Sequence, residues 1–225
     1  MESRKIREPV QSRSIEKKNK IIKAAYKLFS DIGYYNANTT DIAKKAGVST
    51  GIVYGYFKDK HDILLYVMDI YIEKVATPCM NYFAELSAPI DIDSIVWDII
   101  DMTTKIHEDN ANLHNILHSL SASDEEIRGK FLWLEDHIST NVTETLLKFG
   151  VTTPNLKEKI HIAMNSIQFF SHEYVYDRHD YINYEEMKKE TVNMIIHLFK
   201  EWFFYKFAVC VIIILILNIF VLKYR

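Results

Sequence analysis

Cysteine is nearly absent: Cys79 and Cys210 are the two in 225 residues, and no second cysteine stands near either. That excludes a disulfide-stapled secreted scaffold and a cysteine-built zinc set, and it fits a reducing compartment. Glycine and proline are scarce as well, at six and four residues. Neither a Gly-rich phosphate loop nor a run of apolar–polar alternation of the strand kind is present, so helices are expected throughout. No nucleophile with a base partner, no metal-ligand set and no cofactor loop has meaningful spacing. The expectation is therefore no catalytic residue, no metal, no cofactor and no enzyme activity. Met1 to Lys20 is polar throughout, so no signal peptide is read there, and the N-terminal part is expected in the cytoplasm.

What is present begins with charge asymmetry. Residues 1–60 carry 13 Lys and Arg against 6 Asp and Glu, a net of +7, while residues 61–225 carry 14 against 24, a net of −10. The overall −3 hides a basic end and an acidic remainder, the arrangement that steers a chain toward phosphates. Part of the basic charge lies in an arm, with Arg4, Lys5, Arg7 and Arg13, which reads either as a groove-tracking extension or as a solvated tail.

The basic end has a legible order. From Lys18 to Ile32 the residues Ile21, Ala25, Leu28, Phe29 and Ile32 recur at helical spacing, and Gly33 sits where a left-handed C-cap belongs. Asn38 with Asp41 three residues on is a capping pair that starts a second helix, which runs to about Ala46. Gly47 supplies the positive φ of a tight turn, Val48 plugs the small core, and Ser49 caps a short third helix over Thr50 to Phe57. Val53 and Phe57 face inward. Asp59 and Asp62 form another capping pair, starting a fourth helix near Lys60; its positive dipole end, with Lys58 and Lys60 beside it, makes an anion site. Thr50 and Gly51 stand at the N-terminus of the third helix, where a recognition helix meets base edges, and Tyr54 and Tyr56 carry hydroxyls that can reach phosphates.

Over Lys18 to about Val75 the chain resembles the TetR family of bacterial transcriptional regulators, through a helix ending in Gly33-Tyr34, then DIAKKAGVS, STGIVYGYF and KDKHDIL. The resemblance implies DNA contacts at Thr39, Thr40, Ser49, Thr50, Gly51, Tyr54, Gly55, Tyr56 and Lys60, with Lys58 beside them. Two positions depart from the family pattern. Ala37 replaces a usual Thr, which removes a phosphate-binding hydroxyl. Gly55 lies inside the third helix, at a cost of about 1 kcal/mol in helix propensity.

After Val75 helical spacing continues in segments broken at Ser87-Ala88-Pro89, Ser121 to Asp124, Gly150 and Pro154. About five helices are expected there. The fold class is therefore all-α: a tri-helical helix-turn-helix domain followed by a helical bundle. The expected divisions are a basic arm over 1–17, the DNA-binding domain over 18–75, an effector-binding and dimerisation domain over 76–204, and a tail helix over 205–222. The resemblance implies a homodimer built on the last two helices, about Leu156 to Tyr176 and Tyr184 to Tyr205, and an effector pocket inside the bundle. Trp97, Met102, Phe131, Trp133, Phe169, Phe170, Tyr174 and Tyr176 are rich enough in aromatic and thioether surface to line such a pocket, though ordinary core is the first reading for each taken singly. His107, His114 and His118 share a helical face, read as structural or surface histidines rather than a metal shell.

From Phe207 to Leu222 the run FAVCVIIILILNIFVL carries no charge. Extended back to Trp202 it gives about 31 Å of helix, enough to span a bilayer with aromatic and basic residues at both ends. A single-pass membrane anchor is the first reading; a dimer helix and a non-native tail are the others. The functional expectation is a ligand-responsive repressor, a homodimer on a pseudo-palindromic operator in double-stranded DNA, answering an unknown small-molecule effector and tethered to the membrane. The alternative is an architectural or division-linked DNA-binding protein of the same fold.

Overall fold

The computed structural model describes residues 12–200. Every regular element among them is helical: α1 (Ser12–Ile32), α2 (Thr39–Ala46), α3 (Thr50–Tyr56), α4 (Lys60–Glu85), α5 (Ile92–Asp109), α6 (Ala111–Ser121), α7 (Glu125–Lys148), α8 (Leu156–Tyr176) and α9 (184–200). The uncharged run from Phe207 to Leu222 and the arm residues Arg4, Lys5 and Arg7 lie outside the described residues. No helix among the described residues is long and apolar enough to cross a membrane.

The chain packs as two compact units. One holds the described residues up to Asn81 together with Lys105–Ile138; the other holds Tyr82–Thr104 and the described residues from Ser139 on. The division falls within α4, α5 and α7, and the sequence boundary at Val75 falls inside α4.

In the first unit, Ile21, Ala25 and Phe29 of α1, Ile42 and Ala43 of α2, Val53 of α3, and Ile63, Leu64, Val67 and Met68 of α4 form one buried cluster. Leu113 and Leu117 of α6 and Ile127, Phe131 and Leu134 of α7 belong to the same cluster, so the first helices share a core with α6 and the first half of α7. Tyr26 Oη donates to Asn110 Oδ1 at 2.7 Å, and Asn112 Nδ2 donates to the Ser30 carbonyl at 2.7 Å, which tie α1 to the start of α6. In the second unit, Val96 and Ile100 of α5, Ile167 and Phe170 of α8, and Val192, Ile195 and Ile196 of α9 make a separate core. There Thr104 and Ser171 hydroxyls meet at 3.0 Å, and Lys200 pairs with Asp93 at 2.8 Å.

Two local expectations need correcting. α1 starts at Ser12 rather than Lys18. The three histidines lie on two helices, His107 on α5 and His114 and His118 on α6, with the break at Asn110. Their rings still gather, with centres 4.0 and 4.2 Å apart, and Tyr71 Oη lies 2.5 Å from His114 Nδ1. Among the described residues no group of three or more His, Cys, Asp or Glu could hold a metal ion.

Candidate nucleic-acid interface

Short-range chemistry builds the helix pair. Asn38, in an extended conformation, accepts the Asp41 N–H on its side chain at 2.9 Å and so starts α2. Gly47 ends α2 at φ 69°, and its N–H reaches the Lys44 carbonyl at 3.2 Å. A side chain at that φ would be strained, which is why glycine holds the turn. Ser49 occupies the N-cap position of α3, yet its side chain makes no capping hydrogen bond. Its carbonyl begins the helix instead, accepting the Ile52 and Val53 N–H groups at 2.9 and 3.3 Å. The hydroxyl expected to cap is thereby left on the exposed face.

Val53 and Phe57 anchor α3 from below, both fully buried. The opposite side of α3 carries Gly51, Tyr54 and Gly55, all exposed, with Thr50 half-buried at the first turn. Thr40 at the start of α2 is exposed too, as are Ser49 and Lys58. Tyr54, 41% exposed, meets Thr39 hydroxyl to hydroxyl at 3.0 Å, joining the starts of α2 and the middle of α3 in one hydrogen-bonding patch. At Gly55 a Cβ would meet nothing within 4 Å, so the small residue is a feature of the exposed face rather than a packing requirement.

Two further expected contacts, Tyr56 and Lys60, are engaged with groups outside this patch. The Tyr56 hydroxyl pairs with Ser14 Oγ at 2.8 Å, fastening the early first turn of α1 to the recognition helix. Lys60 Nζ donates to the carbonyls of Tyr34 and Ala37, both at 2.9 Å, and lies 4.2 Å from the centre of the Tyr34 ring. Burial pulls its ammonium below the usual lysine range. Burial also raises the Tyr34 phenol, with the nearby Asp59 adding to the effect. Lys60 thus staples the turn between α1 and α2. Ala37 is buried, so its methyl packs in the core rather than facing a phosphate. The start of α4 matches the spacing read from the sequence: Asp62 N–H donates to Asp59 Oδ1 at 2.8 Å, and Asp62 Oδ2 accepts the Lys58 N–H at 2.9 Å.

Ser14 has no role in the sequence pattern, and Lys18 enters it only as the start of the first helix. Lys18 Nζ lies 3.9 Å from the Tyr66 ring centre and 5.7 Å from that of Phe57. Both partners are more than 38 residues away, so no local spacing announces them.

The aromatic residues read as pocket candidates fall in both units. In the first, Phe131 belongs to the core, while Trp133 is 57% exposed and stacks on His137. In the second, Phe170 is core and stacks on Tyr174 at 5.9 Å, and Trp97 packs against the same core beneath Lys188. Met102 is half-buried, as is Tyr176, whose phenol is raised by burial. Phe169 is 65% exposed.

Residues 21–67 match the model of the tetR family of bacterial regulatory proteins. The HTH-type transcriptional regulator HbdR of Aromatoleum sp. (strain CIB) is 47% identical over 64 residues, which cover 27% of this chain and 28% of HbdR. Matches to the first curated relatives span between 23% and 59% of their lengths. A crystal structure described as a TetR-family transcriptional regulator from Mesorhizobium loti superposes with a TM-score of 0.66 at 16% identity, covering 84% of this chain and 97% of that one. A transcriptional regulator from Saccharomonospora viridis in complex with choline gives 0.65 at 17% identity, covering 81% and 97%. At such identities the structural likeness shows the fold alone, whereas the sequence match falls on the caps, turn and recognition helix just described. Over residues 21–67, the helix-turn-helix and its flanking helices, the chain carries the pattern of the tetR family of bacterial regulatory proteins.

Proposed function

We propose that the chain is a sequence-specific DNA-binding regulator, a ligand-responsive repressor acting as a homodimer on a pseudo-palindromic operator. The observation that carries this reading is the surface patch of exposed Thr40, Ser49, Gly51, Tyr54 and Gly55 with half-buried Thr39 and Thr50, set on a helix pair whose inner faces are buried. Such a patch offers hydroxyls and bare backbone to a major groove, with Lys58 at its edge to position phosphates. A recognition helix of 7 residues reads only a few base pairs, so useful specificity needs a second half-site and a second copy of the chain. Ile162 and Phe169 support a dimer face on α8: they stand seven residues apart, both exposed, with exposed Met194 on α9. Ligand response draws support from the choline complex of the Saccharomonospora relative. An effector that favours one spacing of the two recognition helices weakens the operator, and by linkage the operator weakens the effector by the same factor.

Paired substitutions test this reading. Thr50→Ala is expected to change which sequences are preferred, by about 1 to 3 kcal/mol at the affected base pair. Tyr54→Phe, which removes a hydroxyl that positions the duplex, is expected to weaken all sequences alike. Competition binding against single-base operator variants reads both. An equal loss on every sequence for Thr50→Ala would assign that residue to positioning alone.

The membrane tether is also part of the proposal, and the uncharged run Phe207 to Leu222 supports it. In an alkaline carbonate wash the full chain is expected in the membrane pellet, and a chain stopped after Lys200 in the supernatant. Finding both in the supernatant would remove the tether and leave the DNA-binding reading intact.

A further inference from the structure

Within the first unit α4 is joined at three places to α7 and the residue that caps it. His61 pairs with Asp124, Asp69 with Lys130, and the Tyr71 ring stands edge-on to Phe131 at 6.4 Å. Asp124 also holds the first turn of α7, accepting the Glu126 and Ile127 N–H groups at 3.0 and 3.1 Å. These ties fix the two walls of an open groove of about 770 Å³, in the size range of small-molecule sites.

The groove has one chemical character. Ile72 and Ala76 line it with carbon, and Trp133 presents an indole that is 57% exposed, with His137 stacked parallel at 5.0 Å. Asp69, Glu73 and Glu126 bring three carboxylates. Lys130 neutralises Asp69, while Glu73 and Glu126 make no ion pair among the described residues. An exposed tryptophan beside two uncompensated carboxylates repels an anion, and a neutral apolar molecule would leave the carboxylates without a counter-charge. A positive charge on an apolar body satisfies both features, because the indole face attracts cations and the carboxylates supply the counter-charge.

We propose that this groove binds an organic cation, an amine or quaternary ammonium carrying an apolar body, with Trp133 against the charged head and Glu73 and Glu126 neutralising it. The inference deepens the ligand-responsive reading above by naming the chemistry of the effector. The position suits that role: Ile63, Leu64 and Val67, on the turns of α4 before the groove, are fully buried in the core that seats α3. A ligand that shifts α4 against α7 acts on the helix that supports the recognition helix.

Calorimetric titration of the full chain with tetraphenylphosphonium tests the site, with tetraphenylborate as its charge-reversed twin. The expected result is saturable binding of one phosphonium per chain and none of the borate. Affinity for the phosphonium falls at least about tenfold in Glu73→Gln/Glu126→Gln and in Trp133→Ala, all exposed positions whose loss leaves the core intact. Gly129→Leu should block it too, since Gly129 lines the groove and a Cβ there meets nothing within 4 Å. The proposal is overturned by absence of saturable binding, by equal binding of the borate, or by phosphonium affinity indifferent to all three variants. This titration needs no DNA, so it fails separately from the regulator reading: cation binding without DNA binding would sink that reading and keep the groove, and the reverse result would do the opposite.

Discussion

Phe57→Ala is expected to lower the stability of the chain by about 3 to 5 kcal/mol and to abolish operator binding with it. Phe57 is fully buried at the C-terminal end of α3, where its N–H closes the helix on the Val53 carbonyl at 3.0 Å. Its ring stands edge-on to Tyr66 at 5.5 Å and lies among Ile63, Leu64 and Val53 in the shared core. Truncation removes the transfer free energy of a phenyl ring and opens a cavity beneath the recognition helix. A domain is stable by only about 5 to 15 kcal/mol, so a loss of this size leaves much of the population unfolded at moderate urea. Urea unfolding followed by circular dichroism measures it, with Ile32→Ala as the control. Ile32 shares the helical spacing of Ile21, Ala25 and Phe29, yet it is exposed at the last residue of α1, where the chain turns away at Gly33. Its truncation should change stability by no more than about 0.5 kcal/mol. Equal effects of the two substitutions would contradict the core described above.

Lys60→Ala is expected to weaken DNA binding without changing its salt dependence. The ammonium donates to two carbonyls of the turn between α1 and α2 and rests on the Tyr34 ring, so its removal loosens the turn that leads into Thr39 and Thr40. A charge-assisted hydrogen bond contributes about 1.5 to 3 kcal/mol when buried, and solvent reduces that at a half-buried site, so about 1 to 2 kcal/mol of stability should go with the side chain. An ammonium held on carbonyls displaces no counterion from DNA. A phosphate-bound lysine would, and losing it would make the slope of log K against log salt shallower by about 0.9. Binding isotherms across a salt series decide between the two, and a shallower slope would return Lys60 to the phosphate contacts that its position in the sequence suggests.

Lys60 also shows where sequence reading ends. The caps at Asn38 and Asp59, the left-handed glycines at 33 and 47, and the inward pair Val53 and Phe57 were legible because each depends on residues within a turn or two. The bounds of α8, Leu156 to Tyr176, match those that the family resemblance implies. The destination of the Lys60 ammonium depends on carbonyls 23 and 26 residues earlier, and the early start of α1 accompanies Ser14 meeting Tyr56 across 42 residues. Apolar spacing cannot report such pairings. It also cannot say which apolar face is covered: Trp133 and Phe169 sit at core-like spacing and are nonetheless exposed, one in the groove and one on α8. The packing of α6 and α7 against the first helices, through Leu113, Leu117 and Ile127, is likewise a long-range choice among several apolar stripes.

Selection of bound duplexes from a random-sequence pool by the full chain shows whether the recognition helices read a sequence as a pair. The expected result is enrichment of two related half-sites in inverted orientation, centred about one helical turn or more apart, with the preference at the cognate base pairs lost when Thr50 is replaced by alanine. Recovery of unrelated sequences with no shared half-site, or of duplexes that Thr50→Ala binds with the same preference, would contradict it.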